Sequence, residues 1–309
     1  MLLRGKADER RASAEVAEET AAEEAPGAGR LASGVRELCA AFGASSLVSL
    51  TLRDCALPEA AVALLAAAIG SEGRSSSLQT LVLDGNRAGV TGAVALATAL
   101  GRGAQVATLR LSMNAIGDEG GAALGVALTR GCALTDLDVS KNQLGLTACA
   151  LLFGLTCAGR TGLERLNVFG NRVGDTGTVL RDYAVADGSS SRGKALVTGE
   201  TLDVATMFAR GALLSPTLTL LDLGGNALGA ASLLPICESY AAAAHTCSLR
   251  TLELFGNDYG EGAAAALAAL RENLRERSAA RPAGSGVCDV AWASIQDMAE
   301  DQSGLTVTE

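Results

Sequence analysis

Aromatic residues are scarce in this sequence, and this limits the kind of core it can build. Only 3% of the 309 residues are Phe, Trp or Tyr, whereas 37 are glycine and many others are alanine or leucine. Aromatic side chains supply much of the bulk of ordinary protein cores. A chain without them must build its core from many small, similar contacts, which favours a repetitive architecture.

The sequence contains a single histidine, His245, and no CxxC pair among its eight cysteines. Zinc sites of the usual Cys/His spacing are therefore excluded, and so is an HExxH site. His245 lies in a connecting segment, where we do not expect a general base. Acidic pairs such as Asp136 and Asp138 alternate on a strand, without a pocket to desolvate them. We expect no catalytic residue, no metal and no cofactor.

Clustered basic charge and long apolar runs are also missing. The formal net charge is -9, which argues against nucleic acid as a partner. The longest apolar run, at 60–69, is about half of the ~20 residues that a membrane span needs. The N-terminus MLLRGKADERR has no secretory apolar region. With scattered cysteines typical of free thiols, these features predict a cytoplasmic protein that does not insert into membranes.

A nine-residue motif recurs along the chain. Its copies are LVSLTLRDC (47–55), LQTLVLDGN (78–86), VATLRLSMN (106–114), LTDLDVSKN (134–142), LERLNVFGN (163–171), LTLLDLGGN (218–226) and LRTLELFGN (249–257). Successive copies begin 31, 28, 28, 29, 55 and 31 residues apart. Alternating apolar residues within the motif predict a strand, and leucines at i and i+4 after it, such as Leu96 and Leu100, predict a helix.

The pattern LxxLxLxx(N/C)xL, followed by a glycine-rich helix start as in NRAGVTGAVALATAL, resembles the leucine-rich repeats of the ribonuclease-inhibitor-like subfamily. The resemblance covers 47–277. It implies an α/β solenoid, or horseshoe, with a parallel sheet on the concave side and helices on the convex side. The spacings agree, because strands pair about 4.8 Å apart and helices pack about 8–10 Å apart, so that stacked repeats form an arc.

The step between the motifs that end at Asn171 and Asn226 is close to two periods. We favour a degenerate eighth repeat within 182–217, besides the seven clear ones. Its expected elements are a helix near 176–186, a weak strand at 194–199 and a helix near 200–213. The alternative is a long insertion, which the loop-like sequence DGSSSRG at 187–193 favours.

The ends of the chain differ from the repeats. Residues 1–30 are rich in Ala and Glu without an apolar stripe, and we expect them to be disordered or to form an exposed helix. In 31–46 an apolar helical face predicts a capping helix over the first repeat, formed by Leu31, Val35, Leu38 and Phe42. The tail, 278–309, contains Trp292 and either folds back as a C-terminal cap or stays loose.

The turn after each motif contains glycines, as in LRLSMNAIGDEGGAAL (109–124), but it does not indicate a phosphate loop. The turn recurs in repeat after repeat, and Asp118 and Glu119 would repel phosphate there. Negative charge is favoured in the first turn of a helix. The motif asparagines are expected to form a column that satisfies buried backbone groups, namely Asn86, Asn114, Asn142, Asn171, Asn226 and Asn257.

The third, fifth and seventh motif positions are predicted to point into the concavity. Eight of these side chains are our candidates for partner binding: Phe169, Phe255, Arg110, Asp136, Asp138, Arg165, Asp222 and Glu253. Both phenylalanines are expected to be exposed, and exposed aromatic residues are typical interface anchors. The acidic excess predicts a protein partner with basic and apolar surface. The alternative is an ordinary solvated face. The pattern makes no prediction of oligomeric state.

The architecture favours a non-enzymatic scaffold that binds another protein on its concave face. Similar repeats also occur in regulators of catalytic partners, which act as inhibitors or as small-GTPase activators. The activator of Ran typically has a long acidic tail, whereas this sequence ends in DQSGLTVTE. A structural subunit of a large assembly, such as a ciliary one, is the third alternative.

Overall fold

The computed structural model describes most of the repeat region and the helix before it. The described residues are 28–42, 47–70, 77–154, 161–178, 201–243 and 247–258. The predictions for residues 1–27, for the loop-like segment at 187–193, for the weak strand at 194–199, for His245 and for the tail with Trp292 lie outside these ranges.

Seven short parallel strands form one sheet in the order β1-β2-β3-β4-β5-β8-β9. They are β1 (Ser49–Thr51), β2 (Thr80–Val82), β3 (Thr108–Arg110), β4 (Asp136–Asp138), β5 (Arg165–Asn167), β8 (Leu220–Asp222) and β9 (Thr251–Glu253). Equivalent motif positions pair with each other, so that Leu81 pairs with Leu109 and Leu109 with Leu137. Each motif therefore contributes one strand in the same register, as the sequence predicts.

Helices connect the strands and lie on one side of the sheet. They are α1 (Ala28–Phe42), α2 (Glu59–Ile69), α3 (Gly89–Gly101), α4 (Gly117–Thr129), α5 (Leu146–Cys149, continued by a π-turn at Ala150–Gly154), α6 (Val204–Arg210, followed by a 3-10 turn at Ala212–Leu214) and α7 (Ala230–Ala243). Small residues let them approach closely: a Cβ added at Gly125 would lie 2.6 Å from the Cβ of Leu151. The core is a single cluster of leucines and alanines between helices and sheet.

Within the long step between Asn171 and Asn226, the described residues contain no further strand of the main sheet. Strand β5 pairs directly with β8. After the turn at Asp175, the chain forms β6 (Thr176–Thr178), which pairs antiparallel with β7 (Thr201–Asp203), and α6 then starts at Val204. Because β5 and β8 are neighbours, the favoured degenerate repeat, which would add a strand between them, is wrong. Residues 176–178, at the start of the expected helix, form β6 instead, and the rest of that segment lies outside the described residues. The helix expected near 200–213 has a counterpart in α6.

The first helix, α1, packs against α2 beside the first repeat. It begins before residue 31, the expected start of the capping segment. The side chain of Val35 is 5% exposed, and the Cys39 thiol lies 3.7 Å from the carbonyl oxygen of Leu64. These contacts place α1 against the helix of the first repeat.

The asparagine column connects successive turns, as predicted. In the third turn, Asn114 N–H and Ile116 N–H donate to Asn142 Oδ1 at 2.8 and 3.4 Å. Asn142 Nδ2 donates in turn to the carbonyls of Leu111 and Ser140, at 2.8 and 3.0 Å. In the first repeat Cys55 takes the asparagine position, and its thiol donates to a carbonyl two residues earlier. Buried backbone groups that leave the sheet are thereby satisfied.

Acidic side chains that follow the asparagine turns connect repeats in a second way. Asp118 Oδ1 accepts hydrogen bonds from Gly145 N–H at 2.9 Å and Ala148 N–H at 2.7 Å, at the start of the next helix. Asp175 Oδ1 accepts one from Gly229 N–H at 2.8 Å in the same manner. These carboxylates cap the helix of the following repeat, beyond the dipole effect expected from the sequence.

No helix in the described part of the chain is both long enough and apolar enough to cross a membrane.

Candidate protein-binding face

The predicted inward-facing positions lie on the face of the sheet that points away from the helices. In β3, for example, Leu109 at the centre of the strand is 1% exposed, whereas Thr108 and Arg110 on either side are half-buried. The helices need more width than the strands, so the sheet lies on the inside of the arc. We call this side of the sheet the concave face; its side chains come from the strands and from the turn just after them.

Four of the candidate residues contact one another in the middle of the concave face. Arg165 donates from Nε and Nη2 to Asp136 Oδ2, at 3.0 and 2.7 Å. Arg110 Nη1 lies 3.7 Å from Asp138 Oδ2. The amide of Asn167 also donates to that oxygen, at 3.4 Å. These pairs largely neutralise this region, so its charges are less available to a partner than the sequence suggests.

Towards the C-terminal repeats two further carboxylates lie side by side. Asp222 and Glu253 occupy paired positions on β8 and β9. Among the residues that the structure describes, no Lys or Arg nitrogen lies within 4.0 Å of either carboxylate. Partial burial raises the pKa of Asp222 to about 6, with repulsion from Glu253 and Asp138 adding to it and the hydrogen bond from Gly224 N–H opposing it. Within the described ranges, this pair is therefore acidic without a counter-charge.

The two candidate phenylalanines lie next to these carboxylates and differ in exposure. Phe255 is 50% exposed, in agreement with the prediction. Phe169 is half-buried, because its ring lies over the next turn, where a Cβ added at Gly224 would be 2.9 Å from Phe169 Cδ2. The ammonium of Lys141 is 5.9 Å from the centre of the Phe169 ring. Only a residue without a side chain at position 224 lets the ring lie so close.

The structure thus divides the candidates into two groups. Arg110, Asp136, Asp138 and Arg165 form two internal pairs. The other four lie towards the C-terminal repeats, and we call them the acidic–aromatic patch: Phe169, Asp222, Glu253 and Phe255. Neither Lys141 nor Gly224 was predicted as a site residue. The signal for Gly224 was its place between Phe169 and Phe255 in the column of seventh motif positions.

The described part of the chain contains no group of three or more His, Cys, Asp or Glu side chains arranged to hold a metal ion. All six cysteines within it are free thiols, and burial raises the pKa of Cys237 to about 12.

A family model of the leucine-rich repeat matches three segments, at residues 107–125, 161–179 and 214–237. Each match begins before a strand of the sheet and extends past its asparagine turn. The same strand geometry recurs in the other four motifs, and three of them have the asparagine turn, with Cys55 taking its place in the first. The chain is a leucine-rich-repeat solenoid. A comparison with curated proteins finds no significant match. Leucine-rich repeats generally mediate protein–protein interaction and are typically non-enzymatic, so the chain carries the architecture of a binding protein.

Proposed function

We propose that this chain is a non-enzymatic scaffold that binds a partner protein on its concave face, through repeats of the ribonuclease-inhibitor-like type. The observation that carries the proposal is the acidic–aromatic patch. There Phe255, which is 50% exposed, follows Glu253 by two residues in the same repeat, and Glu253 pairs with Asp222 on the neighbouring strand. Neither carboxylate has a counter-charge in the described part of the chain. Exposed aromatic residues beside polar groups are typical of interface anchors.

The period and the helices support the subfamily. Repeats of 28 to 31 residues leave room for a full helix on the convex side, as in α3 and α4. The free thiols of Cys149 and Cys237 are consistent with a reducing compartment, and we place the protein in the cytoplasm. We expect the partner to offer basic and apolar surface, because the patch is acidic and aromatic.

The test is affinity purification of partners with the full chain, comparing the wild type with Phe255→Ala. The matched control is Leu214→Ala, which removes an apolar side chain that is 65% exposed in the turn before β8, outside the concave face. We expect Phe255→Ala to lose the partners that Leu214→Ala retains, and to weaken binding of a purified partner by about tenfold or more. Equal retention by both variants would contradict binding at the patch.

A further inference from the structure

We propose that the acidic–aromatic patch receives a lysine or arginine side chain of the partner, with its apolar stem on the phenyl rings and its charged end beside Asp222 and Glu253. This inference rests on the proposed function, since it specifies what the concave face recognises. It predicts a basic side chain at one position of the partner. Binding to the concave face in general would not require a basic side chain there.

The aromatic and acidic groups meet at one residue. A Cβ added at Gly224 would lie 2.9 Å from Phe169 Cδ2, 3.1 Å from Asp222 Oδ1 and 2.7 Å from the carbonyl oxygen of Phe255. A ring and a carboxylate therefore border the same small area, and the Phe255 carbonyl beside them accepts the hydrogen bond from Gly225 N–H. Lysine and arginine side chains have an apolar stem and a cationic end. The stem can pack on the ring while the cationic end lies beside the carboxylate.

The charges of the face select a cation. Towards the N-terminal repeats, carboxylates are matched by arginines, as in the pairs Arg53–Asp84 and Arg165–Asp136, at 3.1 and 2.7 Å. At the C-terminal end, Asp222 and Glu253 have no such match in the part of the chain that the structure describes. A cation that approaches a partly buried carboxylate stabilises its ionised form, and it also offsets the repulsion from a neighbouring carboxylate. An anionic or purely apolar group would meet repulsion or leave the carboxylates uncompensated.

The chain already contains one contact of the same kind. The ammonium of Lys141 lies 5.9 Å from the centre of the Phe169 ring. A cation at this distance is attracted by the ring's quadrupole. Phe255 in the last described turn has no such neighbour among the described residues, and its ring is 50% exposed. A partner's cationic side chain would supply there what Lys141 supplies at Phe169.

The experiment is selection of random peptides displayed on phage against the immobilised full chain at pH 7.5. Parallel selections use Phe255→Ala and the double variant Asp222→Asn/Glu253→Gln, which keeps the shape of both side chains. The control is Glu238→Gln, which removes an exposed carboxylate from α7 on the opposite side of the sheet. Selected peptides are then synthesised and their Kd values are measured for each protein.

We expect the wild type and Glu238→Gln to enrich peptides with Lys or Arg at one fixed position beside an apolar residue. Affinity for these peptides should fall by about tenfold or more in the double variant, because charge pairs at partly buried sites contribute strongly. If selected peptides show no basic preference but lose affinity in Phe255→Ala, the cation inference is overturned and concave-face binding stands. If neither variant changes the selected peptides, or if none is selected, both proposals fail.

Discussion

Arg165 on β5 donates two hydrogen bonds to a single oxygen of Asp136 on β4, at 3.0 Å from Nε and 2.7 Å from Nη2. The two residues occupy the same motif position in adjacent repeats and are paired in the sheet register. The Asp136 residue is only 8% exposed, whereas the Arg165 side chain is 55% exposed. The arginine thus compensates a carboxylate that has lost most of its water.

Replacing Arg165 by methionine should therefore lower the free energy of unfolding by about 1 kcal/mol, because it leaves Asp136 desolvated without its charged donor. Urea denaturation monitored by circular dichroism measures this loss. The control is Arg110→Met, whose guanidinium is 3.7 Å from Asp138. We expect a smaller effect there, and equal losses in the two variants would mean that the shorter contacts of Arg165 add no stability.

The asparagine column predicts a much larger loss. Asn142→Ala removes the acceptor of two backbone N–H groups and the donor to two carbonyls, at a position that is 0% exposed. Leaving such groups unsatisfied should reduce the free energy of unfolding by about 3 kcal/mol. Gln105→Ala is the control, since that amide is exposed and bonds one carbonyl in its own turn. For the control we expect a loss of about 0.5 kcal/mol or less. If Asn142→Ala also lost less than about 1 kcal/mol, this role of the column would be refuted.

Two adjacent carboxylates in the first turn of α4 should differ in their contribution to stability. Asp118 accepts hydrogen bonds from Gly145 N–H and Ala148 N–H in the next repeat, whereas Glu119 is exposed. Asp118→Ala should therefore lower the free energy of unfolding by about 1–2 kcal/mol, as expected for a lost helix cap. Glu119→Ala should change it by less than about 0.5 kcal/mol. Thermal and urea unfolding of the two variants measures both losses. A general dipole effect would make the two losses equal, whereas capping makes the loss larger for Asp118→Ala.

The sequence predicts the periodic part of this molecule well, because each repeat obeys the same local rules. Leucine spacing predicted the strand register, and the position of Asn114 or Asn142 predicted the turn contacts. The insertion was misassigned because its length is close to one period, so that spacing alone could not separate β6 from a repeat helix. On the concave face, position predicted which side chains point inwards, but not their pairing. Asp136 pairs with an arginine and, among the described residues, Asp222 does not. This difference depends on side-chain conformations across neighbouring strands, which the motif does not determine.

The raised pKa of Asp222 makes a prediction about pH. An aspartate in an unfolded chain titrates near 3.9, whereas partial burial and the neighbouring carboxylates raise the pKa of folded Asp222 to about 6. Between these values the folded state binds more protons than the unfolded one. The contribution of this group to stability is therefore fully present below about pH 4 and is lost as the pH rises through 6.

Asp222→Asn should accordingly stabilise the protein at pH 7.5 by about 1 kcal/mol, a value that allows for solvent screening of a partly exposed group. It should have little effect at pH 4.5, where the folded wild type already carries a proton there. The amide oxygen can still accept the hydrogen bond from Gly224 N–H, so the turn is preserved. Urea unfolding at both pH values measures the difference. The control Asp258→Asn alters an exposed carboxylate in the following turn, and a similar gain there would assign the effect to net charge instead of to Asp222.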